Sequence, residues 1–294
     1  MTAPSEICQS SGGTIVPGNP CHLSPAAAGL PLVDWQYLIN FRPPASVKSA
    51  VHQRFHQEAH DTPDYHPIEF GSGPINLDFY LVYIHQMPII DGARLTSSDL
   101  ITYFKKNLTS FMDTSKVTFG SYETEDYVKW QSDDSLGSVM HFHIGAQGES
   151  WLPFANPENL SVVASEIASD HWIFSPLWTP NDQNHCVSGN RQFGIGTRRV
   201  SDTYSPPHDI VFGDPPAADI PYVYMRGADR CTTPADWIMS NSIFAGGNDC
   251  WTGACNKLQQ WVDNNGGRAS IPGCISKRYD WDTIKAAYWQ NPPI

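Results

Sequence analysis

Three short segments concentrate the chemistry-bearing residues of this chain: Asp170-His171-Trp172, His185-Cys186-Val187-Ser188-Gly189-Asn190-Arg191 and Arg226-Gly227-Ala228-Asp229-Arg230-Cys231. The imidazoles of His171 and His185 suit acid or base work near neutral pH, Asn190 offers an amide, and Asp229 offers a carboxylate. The forked guanidinium groups of Arg191 and Arg226 match paired oxygens on a carboxylate, phosphate or sulfate. Polar groups are costly to bury without partners, so their concentration in strand-like segments reads as a built site. Gathered at one rim, His171, His185, Asn190, Arg191, Arg226 and Asp229 predict hydrolysis of a small-molecule or anionic substrate. A structural alternative stands beside it, in which Arg191, Arg226, Asp229 and Arg230 form an ion-pair network that pins the strands.

The gathering depends on a hairpin. Cys186 and Cys231 are equidistant from the His208–Asp209 bond in the turn-rich Pro206-Pro207-His208-Asp209, and Val187 and Asp229 are equidistant from His208. Antiparallel ribbons folded about that corner predict facing thiols within disulfide reach, which would suit an oxidising compartment; buried thiols are the alternative. Neighbours on a strand point to opposite faces, so Asp170 cannot orient His171 unless the strand breaks there.

A second constellation is Val139-Met140-His141-Phe142-His143-Ile144, where strand periodicity puts His141 and His143 on one face. With Glu149 downstream, and with Pro180, His185 and Asn190 following, the set resembles the two metal-binding motifs of the cupins. It departs from them in the late Glu149, in Asp182 where the motif has glycine, and in the late Asn190. The resemblance implies a divalent metal held by His141, His143, Glu149 and His185; no other cofactor is favoured. His52, His56 and His60 recur every four residues, but the outer two are two helical turns apart, about 12 Å, so they read as a polar helix flank.

The elements that must position these residues follow from periodicity. Residues 1–44 are rich in Pro and Gly and read as an irregular arm. Val47, Val51, Phe55 and Ala59 mark a helix over 45–60, and residues 76–90 mark a strand apolar on both faces. Asp91-Gly92 is a turn signal, and Thr96-Ser97-Ser98-Asp99 is a capping box opening a helix with Leu100, Phe104, Leu108 and Phe111. Strand-like pieces follow at 116–122, 138–144, 161–167, 171–178, 191–197 and 222–226, with a long Pro- and Asp-rich loop over 201–220. Thr233-Pro234-Ala235-Asp236 caps a helical C-terminal part, residues 233–294. The order predicts an α+β class: one domain over 45–294 in which a single antiparallel sheet, curved or flat, is partly wrapped by helices.

The 294 residues carry 30 acidic and 18 basic side chains, a formal charge of −12, so nucleic acid and anionic membranes are disfavoured partners. No apolar run is long enough for a membrane span. The first residues lack the basic start and apolar block of a secretory signal. Seven cysteines, without any Cys-x-x-Cys, disfavour a ribbon-type zinc site. Gly-x-Ser-x-Gly, phosphate-loop and dinucleotide fingerprints are absent.

The phrases Ser169-Asp170-His171-Trp172, Val187 to Gly194 and Arg226-Gly227-Ala228-Asp229-Arg230 resemble uncharacterised bacterial proteins of toxin and effector systems. That resemblance implies a protein secreted or delivered without a leader of the ordinary kind, a cytoplasmic location being the alternative. Its partners would be a secretion apparatus or an immunity protein. Three expectations result: a delivered hydrolytic effector, a cupin-like metalloenzyme, and a binding module holding an apolar ligand among the aromatics.

Overall fold

The computed structural model describes residues 33–55, 64–144, 158–182, 185–198, 219–232 and 240–290. Among these, helices α1 (Val33–Asn40), α2 (Ala45–Phe55), α3 (Ser97–Lys106), α4 (Thr124–Gln131), α5 (Ser240–Asn264) and α6 (Trp281–Tyr288) accompany strands β1 (Ser72–Gln86), β2 (Ile89–Ile90), β3 (Ala93–Arg94), β4 (Val117–Ser121), β5 (Val139–Ile144), β6 (Glu158–Ile167), β7 (His171–Pro176), β8 (Val187–Arg198), β9 (Ile220–Cys231), β10 (Arg268–Ser270) and β11 (Cys274–Tyr279). Nine strands form one antiparallel sheet in the order β10-β1-β9-β8-β7-β6-β5-β4, with β11 also paired to β1. The predicted α+β class with a single main antiparallel sheet is what the chain adopts.

Helices cover both faces. On the face called the front, Tyr80, Val82 and Ile84 of β1 join Phe142, Phe174 and Phe193 in a core closed by α3, α4 and α5 through Phe104, Trp130 and Trp251. On the back, Leu77 and Leu81 of β1 pack with Trp35 and Leu38 of α1 and with Trp281 and Ile284 of α6. Val47, Val51 and Phe55 of α2 cover Val139 and Val163 on the same side. The two-sided apolar pattern of β1 is thus explained by helices on each side.

Local chemistry sets several boundaries. Thr96 and Asp99 close the predicted capping box, the Thr96 oxygen accepting from the Asp99 amide at 3.2 Å while the Asp99 carboxylate accepts from the Thr96 amide at 2.9 Å. Asp91 and Gly92 both take positive φ, 51° and 79°, and join the ribbon β2–β3; paired positive φ is the geometry of the tight hairpin turn.

Four features differ from the sequence reading. Residues 33–40, read as part of an irregular arm, form α1, because Trp35, Leu38 and Ile39 gain a back-face site that local periodicity does not show. The short amphipathic helix α4 was unforeseen; its capping box uses Glu123 and Asp126 in place of Ser or Thr. Two strands, β10 and β11, interrupt the helical C-terminal part because β1 offers them an open edge. Finally, β8 and β9 do form a hairpin, but Cys231 stands opposite Val187 rather than Cys186. No disulfide joins Cys186 and Cys231. The turn at 206–209, the loop over 201–218, the cap at 233–236, and His56 and His60 lie outside the described residues.

Candidate functional site

A cavity of about 120 Å³ lies on the front face between the sheet and α5. Its sheet-side walls are Val117, Phe142, Leu160, Val162 and Phe174, and its roof is Ile243, Phe244, Gly247, Cys250 and Trp251 of α5. The polar lining is confined to Asn76 and Asp78 of β1, Asp229 of β9, Arg191 of β8, and His185.

Strand alternation explains why these groups meet. Arg191 stands opposite Gly227 on β9, and Gly227 in turn stands opposite Asp78 on β1. The Arg191 side chain therefore crosses the full width of β9 to reach β1. Its Nη1 donates to Asp78 Oδ1 at 2.9 Å and its Nη2 to Asp78 Oδ2 at 2.7 Å, a bidentate fork. Nη2 also donates to Asp229 Oδ2 at 2.8 Å, and the guanidinium lies over the Trp251 ring at 4.7 Å. Only glycine permits this crossing, since a Cβ on residue 227 would overlap the Arg191 guanidinium and the Asp229 carboxylate. Asn76 Nδ2 donates to Asp78 Oδ2 at 3.1 Å, while its own Oδ1 is buried without a hydrogen bond.

The electrostatics follow from burial. Asp78 is 3% exposed and Asp229 5%, so a single guanidinium serves two carboxylates removed from water. Burial pushes the Asp229 carboxyl up to about 7; Arg191 opposes the shift and the Asp78 charge adds to it. Burial works against the Arg191 charge as well, but the two carboxylates outweigh it and hold the guanidinium firmly protonated. His185 is driven the other way: burial, reinforced by neighbouring His66, pushes it down to about 3. His66 itself is lowered to about 4 by burial. Both imidazoles are neutral at neutral pH. The Val187 amide donates to His185 Nδ1 at 3.2 Å, which places the ring proton on Nε2.

The sheet divides the residues expected to form one rim. His185, Arg191 and Asp229 line the front cavity. Asn190 accepts from Ser175 at 2.6 Å and donates to the backbone of Leu38 on α1 at 2.9 Å, which places it on the back. Arg226 donates to Gln192 and lies over Tyr224, also on the back. His171 is bound through Nε2 to Glu166 at 2.6 Å and through Nδ1 to Asp170 at 2.8 Å, and Glu166 accepts from Tyr37 of α1 at 2.6 Å. Arg230 donates to the carbonyls of Gly73 and Ile68 and stacks on Trp281. His171, Asn190 and Arg226 therefore do not join the other three. Asp170 does orient His171, because β7 begins at His171 and leaves Asp170 in the turn.

The metal set expected from the cupin resemblance is divided too. His141 and His143 share the back face, as predicted, but His141 Nδ1 lies 3.6 Å from Asp182 and His143 pairs with Asn159 at 2.5 Å. Asp182 also accepts from Ser161 at 2.5 Å; burial pushes its carboxyl up, but the neighbouring His141 and the Ser161 hydrogen bond outweigh it and hold the carboxyl below the usual range. His185 lies across the sheet, in the front cavity, and Glu149 lies outside the described residues. Among the described residues, no group of three His, Cys, Asp or Glu is placed to hold a metal. A larger cavity, about 470 Å³, lies on the back between α2 and the sheet; His52 and Asp64 on its rim bind each other at 2.7 Å.

Asp78, Asn76 and Trp251 were missed in the sequence. The first two carry a signal: polar residues inside an otherwise apolar two-sided strand. No family model matches the chain, and no curated protein matches it. No helix among the described residues is long and apolar enough to cross a membrane.

Proposed function

We propose that the front cavity binds a small, mainly apolar molecule, or a one-ring portion of a larger one, that ends in a neutral carbonyl or carboxamide. The observation that carries this reading is that the charged groups at the polar floor are already paired with one another. The Arg191 fork is already closed on Asp78 and Asp229, so it presents no open pair of donors to an incoming anion, and two carboxylates already face one guanidinium. A ligand carboxylate or phosphate would add a third negative charge in a buried site. The anionic substrate expected from the arginines is therefore set aside for this cavity. His185 supplies a neutral donor from Nε2, and Asp229, close to half-protonated at neutral pH, can accept from an amide or donate to a carbonyl. Size bounds the ligand as well: an apolar cavity of about 150 Å³ holds one benzene ring, so this one, at about 120 Å³, encloses no more than a single ring.

Titration calorimetry at neutral pH with benzamide, benzoate and benzylamine tests the reading. Benzamide is expected to bind at least about tenfold more tightly than benzoate, a difference of about 1.4 kcal/mol. Gly247→Leu, which fills the roof from a position with open space around it, is expected to abolish benzamide binding without lowering the melting temperature. Benzoate binding as tightly as benzamide would return the anion-binding reading.

A second reading draws on Asp229 itself. A carboxyl raised to about 7 is suited to acid–base work at neutral pH, which keeps the hydrolytic effector in play, with delivery from the producing cell and an immunity protein as its partner. Asp229→Asn separates the two: binding without turnover in either chain supports the binding module, whereas turnover lost on substitution supports the enzyme.

A further inference from the structure

Three thiols lie along α5 and β11. Cys250 and Cys255 project from the helix, and Cys274 opens the strand. Cys274 stands opposite Tyr80 on β1, and paired residues of antiparallel strands share a face, so Cys274 points to the front, towards α5. The direction of Tyr80 is fixed independently, because its hydroxyl donates to Asn248 of α5 at 3.1 Å. Cys255 lies seven residues, about two turns, beyond Asn248 on the same side of that helix. It is fully buried in the front core, against which half-buried Cys274 packs.

We propose that Cys255 and Cys274 form a redox-switchable crosslink that staples α5, the roof of the cavity, to β11 at the edge of the sheet. The two thiols divide the work. Cys274 is the accessible partner, and the neighbouring Cys255 thiol lowers its pKa, which favours the attacking thiolate. Cys255 retains its proton, held first by the neighbouring Cys274 and then by burial, and acts second. The oxidant is a low-molecular-weight disulfide. The Cys274 thiolate attacks one sulfur of that disulfide, breaks its S–S bond and releases one thiolate, leaving a mixed disulfide on Cys274. Cys255 then loses its proton to the released thiolate and attacks the Cys274 sulfur, expelling the second small thiol. Two protein thiols are oxidised and one small disulfide is reduced to two thiols. Cys250 is an internal control: it is half-buried like Cys274, but its S–H lies 3.9 Å from Met112 Sδ and desolvation pushes its pKa up to about 12. The crosslink does not depend on what the cavity binds, so its test and that of the ligand reading fail separately.

The test is to incubate the folded chain with oxidised glutathione, block residual thiols with iodoacetamide, and map peptides by mass. The expected product carries a Cys255–Cys274 linked peptide pair, no glutathione on either residue, and an alkylated Cys250 after unfolding. Cys255→Ser is expected to stop at stable glutathione on Cys274, and Cys274→Ser to leave Cys255 unmodified. Stable glutathione on Cys274 of the unsubstituted chain, an unreacted pair, or a crosslink joining either residue to another cysteine would overturn the proposal. If the serine variants fail to fold, the unsubstituted chain decides alone. Reduction is expected to restore both thiols and the original melting temperature.

Discussion

The two faces of the sheet carry polar clusters of similar composition and different physics. On the front, Arg191 sits between Asp78 and Asp229 beneath α5; both carboxylates are almost wholly removed from water, and the Arg191 side chain keeps 14% of its surface exposed. On the back, His171 sits between Glu166 and Asp170, with Tyr37 of α1 completing the chain and Asp170 open to solvent. Each cluster sets one cation between two carboxylates. The difference lies in the dielectric: on the front an uncompensated charge has nowhere to go, while on the back water screens whatever the partners leave. Removing a partner should therefore be costly on one face and nearly harmless on the other.

The largest contrast comes from Arg191→Met, which leaves Asp78 and Asp229 buried without their cation. Urea unfolding is expected to show a loss of about 3–5 kcal/mol, with Gly227→Ala following it in direction because the added methyl displaces the guanidinium. A loss below about 1 kcal/mol would mean that water reaches the front cluster and that the faces do not differ.

Acid gives the next largest effect. His66 and His185 are neutral in the fold, with pKa values of about 4 and 3 against an ordinary 6.5. A depressed histidine takes up its proton on unfolding, so its stabilising contribution is whole above pH 6.5 and shrinks as pH falls. Asp229 has the opposite sign: its folded pKa is raised to about 7, so below that value the folded state already holds a proton the unfolded chain lacks. The two terms nearly offset at pH 6.5, and near pH 5 the balance approaches two protons gained on unfolding and one lost, a slope of about 1.4 kcal/mol per pH unit. Asp229→Asn removes the offset and should roughly double the slope, as measured by denaturant midpoints across the range.

Smaller effects refine the comparison. Gly247 lies in the roof helix with nothing within 4 Å of an added Cβ, so Gly247→Ala is expected to stabilise by about 0.5–1 kcal/mol through helix propensity. On the back, His171→Gln should cost about 0.5 kcal/mol or less at pH 6. Glu166 and then Asp170 raise the His171 pKa, although partial burial opposes them. Its contribution is full below pH 6.5 and disappears as pH rises through the elevated folded value, so variant and parent should melt alike by pH 9.

How far the sequence carried these conclusions depends on the range of the interaction. The capping box at Thr96 and Asp99, the Asp91-Gly92 turn and the two-sided strand β1 are local, and each was legible because its signal lies within a few residues. The hairpin of β8 and β9 was also legible, but its register was not, since that depends on a turn whose chemistry allows several centres. The split of the expected rim was visible in parity alone. Asn190 and Arg191 are adjacent, and Arg226 and Asp229 are three apart, so neither pair can share a face of a strand. The Asp78 partner was not visible, because nothing near Arg191 indicates that β1 will lie beside β9. The same holds for α1 and for β10 and β11, whose formation depends on surfaces supplied from far along the chain.

That distance has a kinetic consequence. Asp78 and Arg191 are 113 residues apart, and β9 must lie between them before the fork can close. On a ribosome, β1 would emerge with its carboxylate uncovered and wait through the synthesis of β4 to β8 for its neighbour. Closure of β1 against β9 is thus a late, entropically costly step in assembly. Chains ending before residue 229 should expose β1 as an adhesive edge and depend on chaperones until synthesis is complete.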